Sequence, residues 1–328
     1  MRLLIVKTSS MGDVIHALPV VTDLVRAVPQ VRVDWVVEEG FADLPRLHAA
    51  VGEVIPVAVR RWRRTLLQAR TWREIGAARA RLRAARYDLV LDLQGLVKSA
   101  WVARWARAPI AGFDRSCVRE PLAAFAYRRA YRVDPDRHAI ERLRALAAQA
   151  LGYRVDGPPV FDLVPPGPAP AWCGGQPYVV FLHATSRAEK LWPSGHWTAL
   201  GARLAAAGLR AVLPWGSVAE QAAAQALAAT MPAAIVAPKL SLAQCASLLG
   251  GAHAVVGVDT GLTHLSAALD APTVALFAAT PAWRYGPYWT PRALSLGSDG
   301  VWPSPDAVAA ALEQVVAAPR QASGARAP

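Results

Sequence analysis

The sequence predicts an α/β protein made of two doubly wound domains, each built on a parallel β-sheet. Short apolar runs rich in β-branched residues, typical of strands buried on both faces, alternate with amphipathic helical segments over the first 93 residues. The alternation stops at residues 165–175, which are rich in proline and glycine, and restarts at Tyr178. A chain of 328 residues, 54% of them hydrophobic, can fill two cores of ordinary size. We expect the carboxyl edges of the two sheets to face each other across a cleft.

The first predicted domain, residues 1–164, opens with a strand that leads into a polar turn. Residues 2–6 are apolar, residues 8–13 contain hydroxyls, a glycine and a carboxylate, and residues 14–28 have helical spacing. The remaining elements predicted here are a strand at 31–37, a short apolar run at 54–59, an arginine- and alanine-rich helix at 71–86 and a buried strand at 87–93.

The second predicted domain, residues 176–316, follows a linker at 165–175. Its predicted strands and short apolar runs are 178–182, 210–214, 234–236, 254–258 and 273–277. Its predicted helices are 194–207, 218–230, 241–249, 262–269 and a closing helix at 306–316. Residues 317–328 are small and polar and are predicted to be a disordered tail.

Cysteine usage and hydropathy indicate a cellular compartment. The three cysteines, Cys117, Cys173 and Cys245, have no spacing typical of zinc sites, and an odd number leaves no complete disulfide framework. Free thiols are the simplest interpretation, and they are typical of a reducing compartment. The N-terminus lacks the features of a signal peptide, and no apolar run is long enough to span a bilayer. We expect a cytoplasmic protein.

The positive charge is concentrated in the first half of the chain. The formal net charge is +12, and residues 1–165 alone hold 27 Lys and Arg against 17 Asp and Glu. A basic half is typical of proteins that bind nucleic acid, anionic lipid or an acidic substrate, and charge alone does not choose among them.

The most informative stretch is Asp259-Thr260-Gly261, which lies between a buried strand and a helix. Such a turn directs the unpaired amides and the positive dipole end of the helix to one point at the carboxyl edge of the sheet, where a phosphate can bind. His264 follows one turn later. The alternative is that Asp259 only caps the helix. Aspartic proteases also use this triplet, but they need two copies in an all-β fold, and this chain has one copy followed by a helix.

Other polar groups also follow predicted strands. Asp13 would lie at the start of the first helix, either as a functional carboxylate or as a cap. Thr185, Ser186 and Lys190 follow the strand at 178–182 and form either a diphosphate site or a solvated loop. Glu220 could bind a ribose or be an exposed helix residue. The arginines at 60–64 form either a solvated basic face or a site for phosphates and carboxylates, because arginine binds both in bidentate fashion.

Several long stretches resemble one enzyme family. The chain is similar to the lipopolysaccharide heptosyltransferases of glycosyltransferase family 9, which are inverting enzymes with the GT-B fold, and in particular to those that add the first heptose. The matching stretches are residues 3–16, 34–41, 60–63, 94–100, 181–185, 213–216 and 258–265. The similarity extends over nearly the whole chain up to the tail, and these stretches are its most distinctive parts.

The resemblance implies a donor, an acceptor and roles for individual residues. The donor would be ADP-L-glycero-D-manno-heptose, and the acceptor Kdo-lipid A in the cytoplasmic leaflet of the inner membrane, with which the enzyme would make peripheral contact. Asp13 would be the general base. The donor would be bound by Thr185, Ser186, Lys190, Glu220, Asp259, Thr260, Gly261, Leu262 and His264. The acceptor would be bound by Arg60, Arg61, Arg63, Lys98, Arg119 and His138.

The chemistry of these residue types agrees with that implication. Direct displacement with inversion needs one base and stabilisation of charge on the leaving diphosphate. Lysine, hydroxyls and a helix N-terminus can supply the stabilisation, so we expect neither a metal nor a cofactor. The sequence departs from the family at Ser186, where threonine is usual, and at residues 278–288, for which no contacts are predicted.

Three other functions remain open from the sequence. A related transferase could add a later heptose or another sugar, although the opening residues 7–13 favour the first heptose. A nucleotide-sugar epimerase could share the fold, but it has no need of an arginine-rich acceptor surface. A nucleic-acid-binding protein would explain the charge, but only one aromatic residue lies among the arginines at 60–64.

Overall fold

The computed structural model describes residues 1–320 and contains two compact units. The first is Met1–Phe161, and the second begins at Asp162, three residues before the predicted boundary. The stretch predicted as a linker packs on the second unit. A Cβ atom built on Gly250 would lie 2.7 Å from Cγ of Pro165, and one on Gly251 would lie 2.6 Å from Cβ of Ala169.

The first unit is a six-stranded parallel sheet with helices. Its strands are β1 (Arg2–Val6), β2 (Arg32–Glu38), β3 (Val51–Val57), β4 (Leu89–Asp92), β5 (Ile110–Phe113) and β6 (Arg129–Tyr131). Its helices are α1 (Met11–Ala27), α2 (Asp43–Arg46), α3 (Val59–Trp62), α4 (Ala69–Ala84), α5 (Val97–Ala103) and α6 (Ala139–Leu151). The strand order is β3-β2-β1-β4-β5-β6, so the chain reverses direction across the sheet between β1 and β4.

The second unit repeats this plan. Its strands are β7 (Tyr178–Leu182), β8 (Arg210–Leu213), β9 (Ile235–Val236), β10 (Ala254–Val258), β11 (Thr273–Leu276) and β12 (Ala293–Leu296). Its helices are α7 (Ser194–Ala206), α8 (Val218–Ala228), α9 (Leu242–Gly250), α10 (Gly261–Ala268), α11 (Ala282–Tyr285) and α12 (Pro305–Ala317). The order is β12-β11-β10-β7-β8-β9, and all pairs are parallel. The reversal here lies between β7 and β10, and open α/β sheets bind ligands at such points.

The central strands are apolar because both of their faces are covered. Leu3, Leu4, Ile5 and Val6 of β1 are fully buried, and so are Val255, Val256 and Val258 of β10. This burial explains why the buried-strand pattern of the sequence predicted the fold class. The α/β class with two doubly wound parallel sheets is confirmed.

The sequence analysis missed several elements. The strands β5, β6 and β12 lack the continuous run of large apolar residues that marks the other strands. Two of the four residues of β5 are small, β6 is Arg-Ala-Tyr, and β12 is Ala-Leu-Ser-Leu. Helix α6 has regular helical spacing at Ile140, Leu143 and Leu146, so its omission was wrong rather than unavoidable.

The predicted tail also needs correction at its start. Ala317 is the last residue of α12, and the carbonyl of Ala318 accepts a hydrogen bond of 3.0 Å from Nη1 of Arg292. Residues 321–328, the rest of the predicted tail, lie outside the described residues. Within residues 1–320, no helix combines the length and the hydrophobicity that crossing a membrane requires.

Helix α1 is fixed to α6 by a buried ion pair. Arg144 is 1% exposed, and its Nε and Nη2 donate to Asp23 Oδ2 and Oδ1 at 2.8 and 3.0 Å. The carbonyl of Gly157 accepts from Nη1 at 3.1 Å. Because α1 carries Asp13 in its first turn, this pair helps to position a candidate site residue.

We expect Asp23→Ala to lower the free energy of unfolding by about 3 kcal/mol or more, because the buried Arg144 loses its bidentate partner and keeps only the longer ion pair with Glu141, at 3.3 Å. Urea titration of both proteins measures the difference. Arg70→Ala is the control, because it removes an ion pair with Glu74 at a mostly exposed position of the same unit and should cost less than about 1 kcal/mol. Equal losses in the two variants would contradict the assignment.

Candidate active site

The turn after β1 is anchored to the end of β4. Lys7 is buried, and its Nζ donates to the carbonyl of Leu93 at 3.0 Å. The amides of Thr8 and Ser9 both donate to Oε1 of Gln94 at 3.1 Å. The two strands at the reversal point of the first sheet therefore hold this polar turn in one conformation.

Asp13 lies at the end of this turn, in the first turn of α1. Its Oδ2 accepts hydrogen bonds from the amide and the hydroxyl of Ser10 at 2.9 and 3.0 Å, so it does help to start the helix. Its Oδ1 lies 4.0 Å from Nζ of Lys7 and makes no hydrogen bond within the described chain. With 30% of its side chain exposed, Asp13 also has an oxygen available to a substrate.

The surroundings of Asp13 favour its ionised form. Burial alone would raise the pKa of this carboxyl, but the charge of Lys7, the two hydrogen bonds from Ser10 and the charge of Arg119 outweigh it and lower the pKa below its ordinary value. Lys7 shows the opposite effect, since burial lowers the pKa of its ammonium group. The turn therefore contains an ionised, partly accessible carboxylate at neutral pH.

Two predicted acceptor residues lie near this turn, and a third lies at another helix end. Nζ of Lys98 donates to Oγ of Ser9 at 3.0 Å, and Arg119 is exposed but close enough for its charge to lower the pKa of Lys98 and of Asp13. His138 caps α6, where its Nδ1 accepts from the amide of Ile140 at 3.2 Å. Its ring packs edge-on against that of His16 at 5.9 Å, and His16 lies three residues after Asp13.

The three predicted arginines in and directly after α3 differ in their surroundings. Arg61 is bound through Nε and Nη2 to Glu39, both at 3.0 Å, and through Nη1 to Glu74 at 2.9 Å. Arg60 donates its amide to Glu38 Oε1 at 2.8 Å, while its guanidinium lies over the ring of Phe41. Arg63 is exposed and forms no ion pair with any residue in 1–320. Arg60 and Arg63 thus carry charge free for an anion, whereas two carboxylates already neutralise Arg61.

Sequence reasoning assigned no role to Glu38, which ends β2 beside these groups. It is 5% exposed, and its Oε2 has no hydrogen-bond partner within the described residues. Burial raises the pKa of this carboxyl. A buried carboxylate oxygen with an open lone pair beside Arg60 is a further candidate for substrate contact, and only the tertiary structure reveals it.

The second candidate site is centred on Asp259, at the end of β10. Oδ2 of this carboxylate accepts from Nζ of Lys190 and from the hydroxyl of Thr280, both at 2.6 Å. Oδ1 lies 3.2 Å from Nε2 of His264. The N-cap of α10 is Thr260 instead, so the interpretation of Asp259 as only a helix cap was wrong.

Asp259 is charged although it is buried. Burial would raise its pKa, but His264, Lys190 and Thr280 together outweigh burial and lower the pKa far below its ordinary value. The structure therefore brings together three predicted donor residues: Asp259 and His264 of one strand–turn–helix, and Lys190 from a segment 69 positions away.

The N-terminus of α10 lies directly beside this carboxylate. The amides of Gly261 and Leu262 stand in the first turn, where a helix has no internal acceptor for them. Gly257 allows the helix to approach its strand closely, because a Cβ there would lie 2.2 Å from Oγ1 of Thr263. The hydroxyl of Thr185 donates to the carbonyl of Asp259 at 3.3 Å and so ties β7 to β10.

The remaining predicted donor residues lie further out. Ser186 is exposed in the loop after β7. Glu220 is a capping residue of α8, since its Oε2 accepts from the amides of Gly216 and Ser217 at 2.6 and 3.3 Å, and its amide donates to Oγ of Ser217. It is therefore not simply an exposed helix residue, and its second oxygen, Oε1, makes no hydrogen bond within residues 1–320.

Comparison with known families decides the class of this protein. A family model described as "Glycosyltransferase family 9 (heptosyltransferase)" matches residues 75–316. The chain belongs to glycosyltransferase family 9. The family membership predicted from the residues is thereby confirmed, and so is the prediction of a glycosyltransferase.

Curated relatives of this glycosyltransferase carry one name. The "Lipopolysaccharide heptosyltransferase 1" of Pseudomonas aeruginosa is 49% identical over 91% of this chain and 84% of the relative. The protein of the same name from Escherichia coli K12 is 47% identical over 88% of this chain and 91% of the relative.

Solved structures of relatives agree with the fold. "E. coli heptosyltransferase WaaC with ADP" has a TM-score of 0.87 at 43% identity and covers 96% of this chain and 100% of that one. This likeness confirms the predicted GT-B fold. "E. coli ADP-heptose lps heptosyltransferase II" has a TM-score of 0.78 at only 22% identity, which shows the fold alone.

Thr280 of this family 9 enzyme is a site residue that sequence reasoning missed. It lies in the loop 278–288, from which no contacts were predicted because the sequence departs from the family there. Its hydroxyl nevertheless donates to the central carboxylate. Within residues 1–320, no three His, Cys, Asp or Glu side chains cluster in a way that could hold a metal ion.

Thr280→Val removes that hydroxyl and should lower the free energy of unfolding by about 1.5 kcal/mol at pH 7, since a hydrogen bond to a charged group is worth about 1.5 to 3 kcal/mol. The pKa of Asp259 is lower in the folded chain than its ordinary 3.8, so the stabilisation is complete above that value and is lost as the pH falls towards the folded pKa. Urea titrations at a series of pH values should show the difference shrinking below pH 3.8.

The control for this series is Thr198→Val, which removes a hydrogen bond between Thr198 and Thr230 at an exposed position. Its effect should be smaller and independent of pH in this range. A Thr280→Val effect that did not change with pH would show that the hydroxyl does not act through the charge of Asp259.

Proposed function

We propose that this chain transfers L-glycero-D-manno-heptose from ADP-heptose to a Kdo hydroxyl of Kdo-lipid A, with inversion at the anomeric carbon. The observation that carries the proposal is the identity of 46–49% over 88–91% of the chain to four proteins named lipopolysaccharide heptosyltransferase 1. The structure titled "E. coli heptosyltransferase WaaC with ADP-2-deoxy-2-fluoro heptose", with a TM-score of 0.83, supports the choice of donor. We propose transfer of the first heptose rather than addition of a later one, because the heptosyltransferase II structure shares only the fold with this chain.

The donor site follows from the Asp259 cluster. The ammonium of Lys190 has three hydrogens, so it can bind the diphosphate while it keeps its hydrogen bond to Asp259. The amides of Gly261 and Leu262 and the positive end of α10 add stabilisation for the leaving group without a metal ion. The side chains of Thr185, Ser186 and His264 and the amide of Thr260 complete this diphosphate site, and the open oxygen of Glu220 takes a ribose hydroxyl.

Asp259 itself binds the sugar in this proposal. A carboxylate can accept about four hydrogen bonds, and Lys190, Thr280 and His264 occupy three positions. The fourth remains for a heptose hydroxyl. The carboxylate would thus fix the sugar relative to the diphosphate that leaves it.

Asp13 is the proposed general base. Its Oδ1 removes the proton of the Kdo hydroxyl while the hydroxyl oxygen attacks the anomeric carbon and the bond to the diphosphate breaks, so ADP leaves with the electron pair. The lowered pKa keeps Asp13 ionised and ready to accept that proton. One attack from the side opposite the leaving group inverts the anomeric carbon.

The acceptor is anionic, and so the basic groups of the first unit support this half of the proposal. Lys98 and Arg119 lie beside the turn of Asp13 and can bind the Kdo carboxylate, while Arg60, Arg63 and His138 bind further carboxylates and phosphates. Arg61 is left out of this set, because Glu39 and Glu74 already neutralise it. The enzyme would act at the cytoplasmic face of the inner membrane, where its lipid acceptor is anchored.

Asp13→Asn should leave folding and ADP binding intact while turnover falls by a factor of about 100 or more, because the amide cannot accept the proton. The assay uses ADP-heptose and Kdo-lipid A with EDTA, and mass spectrometry detects the gain of one heptose. Asp43→Asn, at a partly exposed carboxylate of the same unit, is the control and should keep wild-type turnover. Near wild-type turnover in Asp13→Asn would remove the general-base assignment.

Lys190→Ala should weaken ADP binding about tenfold or more, because a charged hydrogen bond to the diphosphate is lost. Isothermal titration calorimetry with ADP measures the change. Arg187→Ala is the matched control, since this exposed arginine of the same loop is paired with Glu189. An unchanged ADP affinity in Lys190→Ala would count against the diphosphate site.

A further inference from the structure

The turn between α3 and α4 exposes large apolar side chains. Leu67 is fully exposed, and Leu66 and Trp72 are 48% and 58% exposed. We call these three residues the leucine tip. Such a group of exposed apolar side chains is unfavourable in water and typically marks a surface that becomes covered.

Hydrogen bonds hold the leucine tip in place. The hydroxyls of Thr65 and Thr71 lie 2.8 Å apart, and that of Thr71 also lies 2.8 Å from the carbonyl of Thr65. The indole Nε1 of Trp72 donates to the carbonyl of Leu66 at 2.8 Å. The leucines are therefore exposed on a structured turn. Because this turn is already ordered, its insertion into a membrane would cost little conformational entropy.

Arginines precede and follow the leucine tip in the chain. Residues 60–73 contain six of them, and two, Arg61 and Arg70, are paired with Glu74. Arg63, Arg64 and Arg73 are exposed and form no ion pair within the described part of the chain. Leucine and tryptophan side chains with neighbouring arginines are typical of protein surfaces that lie at the boundary of headgroups and acyl chains in anionic membranes.

A second exposed apolar pair lies elsewhere in the same unit. Leu122 and Phe125 are each 69% exposed, but the guanidinium of Arg115 lies over the Phe125 ring at 4.9 Å and partly covers it. The leucine tip, in contrast, closely follows Arg60 and Arg63, which are proposed acceptor ligands. A sugar attached to a lipid is available only at the membrane surface, so a membrane contact next to these arginines would present it to them.

We propose that the leucine tip inserts into the headgroup region of an anionic membrane leaflet, with Arg64 and Arg73 bound to lipid phosphates. The identity of the lipid-anchored acceptor rests on the proposed function, whereas the insertion rests on the tip itself. The occupant of this surface is the bilayer, and neither a protein partner nor a second copy of this chain.

Sedimentation with vesicles of phosphatidylglycerol and phosphatidylethanolamine tests the insertion. We expect the double variant Leu66→Ser, Leu67→Ser to bind about tenfold or more weakly than the wild type, because two leucines no longer leave water. Leu122→Ser is the matched control and should bind as the wild type does. Wild-type binding by the double variant, or weaker binding by Leu122→Ser alone, would overturn the proposal.

A fluorescent probe reports the location directly. The three natural cysteines are buried, so an environment-sensitive NBD label can be attached selectively to Leu67→Cys or, as a control, to Leu122→Cys. The emission from position 67 should shift to the blue with these anionic vesicles and shift less with phosphatidylcholine alone, while that from position 122 stays unchanged. A shift at position 122 only, or a shift at position 67 that grows with protein concentration without lipid, would overturn the proposal in favour of another surface or a second copy.

Turnover separates this inference from the proposed function. The double variant should match the wild type on a deacylated, water-soluble Kdo acceptor and should lose turnover on Kdo-lipid A embedded in vesicles. Equal loss on both acceptors would overturn the inference, because the tip would then affect the site itself. A wild type that binds vesicles through the tip but transfers heptose to neither acceptor would overturn the proposed function and leave the insertion intact.

Discussion

The buried negative charge of Asp259 constrains the whole second unit. A carboxylate that is 8% exposed is stable in its ionised form only if charged and polar partners replace the water it has lost. Lys190 comes from the segment after β7, His264 from α10 and Thr280 from the segment after β11, so compensation of one charge joins three parts of the chain. The same constraint creates a site, since an ammonium group and a helix N-terminus are brought to the reversal point of the sheet.

In the first unit the buried charge is positive, and it also needs polar or charged partners. Lys7 is buried, and the carbonyl of Leu93 and the carboxylate of Asp13 are its compensating partners. The consequence is an ionised carboxylate held by its helix start and open on one oxygen. Each unit thus has a buried charge at the point where its sheet order reverses, and this charge holds a group of the opposite sign in place.

Net charge overstates how much of the basic first unit is available to an anionic partner. Arg144 forms a buried ion pair with Asp23, Arg2 pairs with Asp34, and Arg61 pairs with Glu39 and Glu74. The charges of these arginines are already compensated. Other arginines form no ion pair within the described residues, and Arg63 and Arg64, which lie between α3 and the leucine tip, are among them. The positive charge available to an anionic partner is therefore smaller than the sum of the basic residues.

The sequence by itself determined the features that depend on neighbouring residues. Strand Tyr178–Leu182 and the strand–turn–helix at Asp259 were predicted correctly because an apolar run, a turn glycine and helical spacing act within a few residues. Tertiary structure alone decided which polar groups meet. Lys190 lies 69 positions and Thr280 21 positions from Asp259, and strand order brings them to it. The sequence pattern also did not reveal the open oxygen of Glu38 or the neutralisation of Arg61. Segments distant in the chain set the environment of a side chain, and no local pattern encodes them.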